Sequence, residues 1–380
     1  MCLISSCLTA ANTAPEPVSA DSVEVALLTC QPHEEIYSLY GHTAIRYHDL
    51  RKGGIDAAFN YGVFNFHAPY FALRFVFGLT DYELGVLPTK IFQEEYRRYG
   101  SLVTEQVLNM TPAEKQALYD ALADNYREEN RIYRYNYFYD NCTSRARDII
   151  ERCISGRIQY TPRPDYAPTY REMVHACTAG HPWAAWGNDF LLGVRADLPT
   201  DLRQQEFLPN NLMHDFSYAQ IIRNDGTYVP LVKETRTLVP SGVQFVEQEF
   251  PLTPTQCGIV LVVISLLIFG YEWKRKQTLK WWDLLLMSLQ GIMGLVLLVM
   301  IFSQHPTTSI NLQILLLNPL PFLFIYKVYK RKPTVWWQLL PVLTLLFLIG
   351  GIWQHYAEGM YFVALSLLIR FWSNIRNGKK

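Results

Sequence analysis

The last third of the chain consists of apolar runs separated by short polar loops, and this pattern limits what the chain can fold into. Five runs are present, at residues 255–273, 284–302, 312–328, 336–353 and 359–372. The first two have 19 residues each, close to the roughly 20 that a helix needs to cross a bilayer core. Prolines in the third and fourth are tolerated when neighbouring groups satisfy the freed carbonyls. The pattern predicts a transmembrane domain over residues 255–373 with five spans, four or six being the alternatives.

Positive charge falls in alternate loops of this region. The twelve basic residues after position 254 lie between runs one and two, between runs three and four, and at the C-terminal end. Loops 303–311 and 354–358 contain no Lys or Arg. Because cytoplasmic loops carry the excess of Lys and Arg, we expect a cytoplasmic C-terminus. Five spans then place residues 1–254 on the outer side. Buried helices of a soluble protein, the competing interpretation, would not distribute cations in this way.

The neutral total charge hides a division of the chain. Residues 1–254 contain 22 basic and 31 acidic side chains, a net charge of −9, and the remainder has a net charge of +9. The basic residues form no dense patch, which argues against a nucleic-acid partner. With half of its residues apolar, the chain is not intrinsically disordered. We therefore expect an acidic outer domain followed by a membrane domain.

The N-terminal segment, residues 1–21, is predicted to be an export-signal remnant and a linker. Residues 2–11 are mildly apolar, as in the tail of an export signal. Cys7 follows Ile4, Ser5 and Ser6 in a pattern superficially like a lipoprotein cleavage box. Residues 10–20 form a linker rich in Pro, Ala and Ser. The folded outer domain is expected over residues 22–250.

The outer domain contains both strand-like and helix-like segments. Residues 23–28, 43–47 and 57–61 are predicted strands. Residues 111–126 begin with Thr-Pro-Ala-Glu, the arrangement of a capping box, and are predicted to be a helix. A second helix is expected over residues 145–153. After residue 156 no clear periodicity appears until residue 191. These features predict an α+β domain with a small, mostly antiparallel sheet.

Cys142 is the leading candidate nucleophile. It lies where a predicted loop turns into a helix, so its sulfur is expected near the free N–H groups and the positive end of the helix dipole. That setting lowers a thiol pKa toward the reactive thiolate. A cysteine nucleophile also needs an imidazole and a polar group that orients it. Between a glycine and a strand, His42 has the best setting of the four histidines in the first seventy residues, which are His33, His42, His48 and His67. Asn60, on the next predicted strand, is the candidate orienting residue.

Each of these residues also has a structural interpretation. A cysteine at a helix start is more often a small buried apolar residue, and Asn60 stands beside a turn-like Tyr-Gly pair. Cys153 and Cys177 could form a disulfide in an oxidising outer compartment. No Cys/His cluster has ligand-like spacing, so a metal site is disfavoured.

The order of several short motifs resembles a known family. A His at the head of a strand, followed much later by Asn-Cys at the head of a helix, is similar to the circularly permuted papain-like arrangement of lecithin:retinol acyltransferase. More closely, the chain resembles the Lnb-type lipoprotein N-acyltransferase family of Bacteroides-like bacteria. The matching residues are 38–44 (SLYGHTA), 59–64 (FNYGVF), 135–137 (YNY), 140–145 (DNCTSR), 303–306 (SQHP), Asn311 and 318–320 (NPL).

The resemblance implies a fold and a reaction. The fold would be an α+β papain-like outer domain followed by an all-α bundle of about five transmembrane helices. The reaction would transfer an acyl chain from a membrane phospholipid to the α-amino group of a diacylated lipoprotein, at the periplasmic face of the bacterial inner membrane. By analogy Cys142 is the nucleophile and His42 the base, while assigning Asn60 as the third residue is an inference from position. No cofactor is expected.

Further residues are predicted to contact the substrates. The aromatic residues of 61–77 and 133–139 are expected to form either an apolar slot for an acyl chain or ordinary core, and the Cys142 N–H is a natural oxyanion donor. The candidate substrate-binding residues are Tyr40, Asn141, Arg145, Tyr139, His305, Asn311 and Asn318. For His305, Asn311 and Asn318 a structural role as helix contact or loop cap is the alternative.

Two other functions fit the same sequence. A membrane-anchored cysteine hydrolase would use the same Cys/His pair with water as the acceptor. A membrane sensor or scaffold with an outer ligand-binding domain would need no nucleophile. The sequence leaves both open.

Overall fold

The fold is described from a computed structural model of the chain. The structure describes residues 22–33, 35–64, 69–70, 74, 77–244 and 250–377. The predicted export signal and linker at residues 1–21 lie outside the described residues, as do His67, most of the aromatic stretch at 65–76, and the basic residues Lys379 and Lys380.

In the described part of the outer domain, ten strands form two antiparallel sheets. The strands are β1 Val23–Cys30, β2 His42–Asp49, β3 Asp56–Val63, β4 Asp81–Pro88, β5 Val103–Leu108, β6 Ile132–Arg134, β7 Arg157–Gln159, β8 Gln220–Ile222, β9 Tyr228–Pro230 and β10 Val232–Val239. The larger sheet has seven strands in the order β10-β5-β1-β2-β3-β4-β6, and β7-β8-β9 form the smaller one.

The described residues contain twelve α-helices, which are numbered in chain order. They are α1 Thr89–Arg98, α2 Pro112–Asn125, α3 Cys142–Cys153, α4 Tyr170–Cys177, α5 Pro182–Leu191, α6 Leu202–Gln205, α7 Pro209–Tyr218, α8 Pro254–Arg275, α9 Lys280–Ile301, α10 Pro321–Tyr329, α11 Trp336–Gly350 and α12 Met360–Asn377.

The larger sheet is covered on both faces. Alternate residues of a strand point to opposite faces, so Leu27 and Leu28 of β1 enter different cores. Leu27 packs in the cluster that contains Ile149 and Ile150 of α3. Leu28 packs in a second cluster with Phe92 of α1. Because α3 packs on the strands that contain His42 and Asn60, burial of its apolar face also brings its N-terminus to the sheet.

The predicted α+β class is confirmed, and the sheet is larger than expected. The three predicted strands are present as β1, β2 and β3, and both predicted helices are present as α2 and α3. The Thr111 capping box forms as predicted. The strand β10 was missed because, at the sheet edge, it buries only its last residue, Val239, and reads as a polar segment. The helices after residue 156 were missed because they have at most ten residues, too few turns for a clear period.

The membrane half is entirely helical in its regular structure. By length and mean hydropathy, two of the described helices, α8 and α9, could cross a membrane, whereas α11 is apolar but shorter. The third apolar run is divided: residues 312–315 form a 3-10 helix, and α10 has nine residues starting at Pro321. At 1.5 Å per residue α10 is only about 14 Å long. The number of spans therefore stays a prediction.

Hydrogen bonds join the outer domain to the loops of the membrane half. The side-chain amide of Asn311 donates to the carbonyl of Phe190 at 2.8 Å. Gln313 donates to the carbonyl of Asp189 at 2.9 Å. The carbonyls at the C-terminal end of a helix have no partner within the helix. These amides supply that partner at the end of α5 and attach the two halves of the molecule to each other.

Candidate active site

Helix α3, which carries the candidate nucleophile Cys142, begins at an N-cap whose polar groups are all hydrogen-bonded. Asn141 accepts hydrogen bonds from the N–H groups of Thr143 and Ser144, both at 2.9 Å. Ser144 accepts one from the Asn141 N–H at 2.8 Å, which completes a capping box. The Asn141 amide also donates to the carbonyls of Tyr137 and Phe207. Asn141 therefore sets the direction in which α3 leaves the sheet.

Cys142 is the first residue of α3, and its thiol is paired with the imidazole of His42. Burial alone would raise the thiol pKa. The charge of His42, a hydrogen bond with that imidazole and a hydrogen bond from the backbone N–H of Thr43 outweigh it, so the pKa of Cys142 is lowered. Burial likewise opposes charging of His42, and the neighbouring thiolate raises the pKa of the imidazole instead. The pair therefore favours a thiolate and an imidazolium.

His42 is held in place by the backbone before it and by Asn60 beside it. Gly41 has a φ of +74°, and a Cβ at that position would lie 2.7 Å from the carbonyl oxygen of Cys30. The Nε2 atom of His42 lies 3.3 Å from the Oδ1 atom of Asn60. Nε2 is therefore the ring nitrogen that Asn60 orients. Asn60 is followed by a register shift between β3 and β4, a device that redirects side chains next to functional sites.

A second buried cysteine shows how specific this setting is. Cys30 lies directly across from His42 in the β1–β2 pair and is fully buried. Burial raises the pKa of its thiol, and a hydrogen bond with Tyr96 only partly opposes this. Of these two neighbouring thiols, only Cys142 has the imidazole and the helix start. Only Cys142 is therefore set up as a nucleophile.

A cavity of about 970 Å³ opens beside this pair. Its wall contains Cys142, His42 and Asn60, together with a large set of aromatic side chains that includes Tyr37, Phe64, Tyr82, Tyr96, Tyr99 and Tyr135. Gly62, with a φ of +90°, brings the chain close to the helix start, since a Cβ there would lie 3.6 Å from the Cβ of Cys142. The space is large enough for a lipid-sized ligand and mostly apolar, as binding pockets are.

The membrane half contributes to this cavity. His305 lies in its wall. The loop that contains His305 touches the outer domain at residues 77 and 78: the N–H of Gln304 donates to the carbonyl of Phe77 at 3.0 Å, and a Cβ on Gly78 would lie 3.3 Å from the His305 ring. The cavity is thus bounded by both halves of the molecule.

Two sequence comparisons decide the family. The chain matches the family model described as the Lnb N-terminal periplasmic domain over residues 11–176. It matches the one described as the Lnb transmembrane domain over residues 246–380. The chain belongs to the Lnb family. No curated protein and no solved structure matches it.

Membership of the Lnb family establishes the plan of the protein. It is a membrane protein with a periplasmic α+β domain and a helical transmembrane domain. The Cys142–His42 pair lies within the residues that match the periplasmic domain. The loop with His305 lies within those that match the transmembrane domain.

Two other predicted substrate contacts of this Lnb protein have structural roles instead. Asn311 is buried and holds the end of α5, while its Oδ1 accepts from Gln313 and Gln354. Asn318 is buried in a turn, where it accepts from the Leu320 N–H and donates to the Leu315 carbonyl. Together with the N-cap Asn141, these asparagines have their amides occupied by the protein. For Asn311 and Asn318 this agrees with the structural alternative, and a contact of any of the three with substrate stays a prediction.

Of the remaining predicted substrate contacts, one lies in the cavity wall and two lie outside it. Tyr40 lies in the cavity wall, packed edge-on against Tyr137 at 5.0 Å between ring centroids. Arg145 instead forms a two-point ion pair with Asp140 at 2.6 and 2.7 Å and stacks over the Tyr133 ring. Tyr139 is exposed and packs near Tyr170. Arg145 and Tyr139 lie outside the cavity wall, and a contact of either with substrate stays a prediction.

The other expectations about histidines and cysteines can also be compared with the structure. His33 stacks on Tyr99 at 4.1 Å, and His48 lies 3.9 Å from Asp56, so neither meets the thiol. Cys153 and Cys177 are free thiols, and the disulfide considered between them does not form. Among the described residues, no group of three or more His, Cys, Asp or Glu could hold a metal ion.

Sequence reasoning missed strand β4 and helix α1, which both line the cavity of this Lnb protein. Helix α1 supplies Phe92, Glu95, Tyr96 and, just after its end, Tyr99 to the cavity wall. The spacing of three, four and seven residues from Phe92 marks one face of a helix. That signal was present in residues 89–99, but nothing local connects this face to Cys142, which lies more than forty residues further along.

Proposed function

We propose that this protein is a lipoprotein N-acyltransferase. It would move an acyl chain from a membrane phospholipid, through a thioester on Cys142, to the α-amino group of a lipoprotein's diacylglyceryl-cysteine. The observation that carries the proposal is the thiol–imidazole pair of Cys142 and His42, which opens into a large apolar cavity bounded by both halves of the molecule. Family membership favours a role in lipoprotein processing, and the inner membrane is the expected location.

The first half-reaction would attach the acyl chain to Cys142. The Cys142 thiolate attacks the carbonyl carbon of the phospholipid ester, and a tetrahedral oxyanion forms. When it collapses, the ester C–O bond breaks, His42 gives its proton to the leaving alkoxide, and a lysophospholipid departs. The products are a Cys142 thioester and a neutral His42. Asn60 would act as a positioning residue, because it holds the imidazole rather than touching substrate.

The second half-reaction would transfer the acyl chain from Cys142 to the acceptor amine. The neutral α-amine of the acceptor attacks the thioester carbonyl, and His42 takes a proton from the attacking nitrogen. The C–S bond breaks and the amide product leaves. The thiolate and imidazolium are then restored. A nucleophile and base in contact, with a third group orienting the base, is the arrangement that such two-step chemistry needs.

The oxyanion has a donor at the helix start. The Asn141 side chain already occupies the N–H groups of Thr143 and Ser144. In the part of the chain that the structure describes, no hydrogen-bond acceptor takes the N–H of Cys142 itself. We therefore assign this N–H to the oxyanion, where preorganised donors lower the barrier most. His305 and Tyr40, in the cavity wall, are proposed to contact the lipid substrates.

The proposal is tested with purified protein in detergent or liposomes, a phospholipid with a labelled acyl chain, and a diacylated lipopeptide. Wild type should form a labelled thioester and then labelled triacylated peptide. Cys142→Ala should form neither while keeping its fold. Cys30→Ala is the matched control, a buried cysteine on the adjacent strand, and should keep both steps.

Each alternative has its own outcome in this assay. Release of free fatty acid with no labelled peptide would identify a cysteine hydrolase. No thioester in wild type, with unchanged lipid, would favour the sensor or scaffold. Either result would overturn the proposed acyl transfer.

A further inference from the structure

Two carboxylates line the cavity beside Cys142, and they differ in their partners. Glu83 lies on β4 opposite Arg131, with 3.6 Å between its Oε2 and the arginine Nε. Glu95 lies on α1 and, among the described residues, forms no ion pair with Lys or Arg. Glu83 therefore has an arginine partner, whereas Glu95 has no Lys or Arg partner among the described residues, and its charge favours a higher pKa at the imidazoles of His42 and His33.

Glu95 is held in a defined place by its own helix. The Tyr99 hydroxyl donates to its Oε1 at 3.2 Å. Tyr96, the next residue in the chain, is buried and reaches Cys30 on the strand that pairs with His42. The carboxylate thus faces the same cavity as the thiol–imidazole pair. Within the described residues its Oε2 atom forms no hydrogen bond and no ion pair, so it is available to a ligand.

Glu95 places a charged group in a cavity wall that is mostly aromatic, and its position there calls for a functional explanation. Glu95 is partly buried, and partial removal of an ionised carboxylate from water has a cost unless the carboxylate is paired. In the thioester state His42 is neutral, and a cationic ligand that enters the cavity would then supply a partner for Glu95. A phospholipid acyl ester carries no cation at its reacting end, whereas the α-amino group of a protein has an ordinary pKa of about 7.7–8.0 and is largely an ammonium near neutral pH.

We propose that Glu95 binds the α-ammonium group of the acceptor and places it beside the Cys142 thioester. This inference rests on the proposed N-acyltransferase function and deepens it, because it assigns the acceptor half of the site. Glu95 makes the cavity selective for a primary amine over water. It is a binding and positioning residue, and His42 remains the base.

The proton balance follows from this arrangement. In the thioester state His42 is neutral, because it has given its proton to the lysophospholipid. The bound ammonium loses one proton to solvent, and the resulting amine attacks the thioester carbonyl. His42 takes the second proton as the C–S bond breaks. The products are the amide, the Cys142 thiolate, the His42 imidazolium and one proton in solution, so charge and atoms balance.

The experiment separates the two halves of the reaction in the full-length protein. Glu95→Gln keeps shape and hydrogen bonding but removes the charge. Glu94→Gln is the matched control, the same change one residue earlier on an exposed position of α1. For each, we measure thioester formation from labelled phospholipid, kcat/KM for a diacylated lipopeptide, and the ratio of acyl transfer to hydrolysis. Hydroxylamine, uncharged near neutral pH, serves as a second acceptor.

We expect Glu95→Gln to change thioester formation far less than transfer to the lipopeptide, because Cys142 and Asn60 act on the pKa of His42 more strongly than Glu95 does. Its kcat/KM for the lipopeptide should fall about 10- to 100-fold, the range for losing a hydrogen bond to a charged group. The ratio of hydrolysis to acyl transfer should rise, and the rate of thioester capture by hydroxylamine should be unchanged. Glu94→Gln should behave as wild type. Tyr99→Phe should show a smaller loss in the same direction.

Other results would overturn the assignment. Wild-type kcat/KM for the lipopeptide in Glu95→Gln would show that the ammonium is bound elsewhere. Equal losses with lipopeptide and hydroxylamine would show that Glu95 acts only on the shape of the cavity. Absence of the thioester in wild type would instead be a failure of the proposed function, so the two failures are distinguishable.

Discussion

Buried polar side chains occur in both halves of the molecule, and the two groups are arranged differently. In the outer domain, His42 contacts Asn60 on one side and meets the thiol on the other, and the pair faces a cavity. In the membrane half, Arg370 bonds Glu272 at 2.8 Å and Asp283 at 2.9 Å, and all three residues are buried. Both arrangements carry the cost of desolvating charge.

The difference lies in what the polar atoms face. Arg370 joins α12 to α8 and α9, so its cluster closes on itself and holds three helices together. Asn311 is enclosed in the same way, because its amide forms hydrogen bonds with both halves of the protein. The Cys142–His42 pair instead has an open side. A buried polar group thus indicates chemistry where it borders a cavity and a structural role where its neighbours surround it.

The largest expected effect is at His42. His42→Ala should lower acyl transfer about 10²- to 10⁴-fold, the usual range for a general acid–base group. The pH dependence of Cys142 alkylation provides a second measurement. In wild type the thiolate is lost only as pH falls through the lowered thiol pKa, so alkylation should persist to a lower pH than that of an ordinary cysteine. Without the imidazole, burial raises that pKa and alkylation should require alkaline pH. An unchanged alkylation profile would contradict the ion pair.

Arg370→Met breaks the closed cluster of the membrane half. It leaves Glu272 and Asp283 buried without their cation, which costs about 3–5 kcal/mol for a buried pair. We expect a large drop in the denaturation temperature of the purified protein. Thioester formation per folded molecule should stay at the wild-type level. A specific loss of catalysis with normal stability would show that this cluster is functional after all.

Asn311→Ala tests the joint between the halves. The Leu191 carbonyl loses its side-chain donor, while the Phe190 carbonyl keeps the one from Gln313, and an unsatisfied buried group costs about 1–3 kcal/mol. Stability should therefore fall, with KM for the lipid substrates unchanged once activity is corrected for folded protein. A raised KM with normal stability would restore the substrate-binding role first expected of Asn311.

Asn60→Ala should have the smallest effect of the four. Loss of one side-chain hydrogen bond is worth about 0.5–1.5 kcal/mol, or up to roughly tenfold in rate. The loss should appear in kcat, because Asn60 acts on the geometry of the imidazole and does not touch substrate. Asn60→Asp, which keeps an oxygen acceptor for His42, should recover part of the activity. If Asn60→Asp were as impaired as Asn60→Ala, the orienting role would be wrong.

Several features of this protein were predictable because they are local. The Thr111 capping box involves residues three apart, and the start of α3 was visible in Asp-Asn-Cys-Thr-Ser for the same reason. The division into an outer and a membrane half follows from hydropathy and charge summed over short windows. The choice of His42 depended on its glycine and its strand, both adjacent in sequence. Signals of this range need no knowledge of the fold.

Other features depend on contacts between distant parts of the chain. Arg370 was counted among the loop cations that set the topology, yet it is buried against residues 87 and 98 positions away. Asn311 meets a carbonyl 121 positions away. The sequence does not distinguish a side-chain amide that binds a lipid from one that caps a helix. Only packing shows which partner occupies it.

The sequence by itself determined the α+β outer domain, the helical membrane half and the helix start that carries Cys142, since propensity, capping and hydropathy act within a few residues. Only the tertiary structure decided that His42 and Asn60 meet Cys142 while Cys30 is left without an imidazole. It alone brought Glu95 into the same cavity. The physical reason is that a pKa, a cavity wall and a satisfied hydrogen bond are properties of neighbours in space, and the strand pairing and helix packing that create those neighbours join residues far apart in the chain.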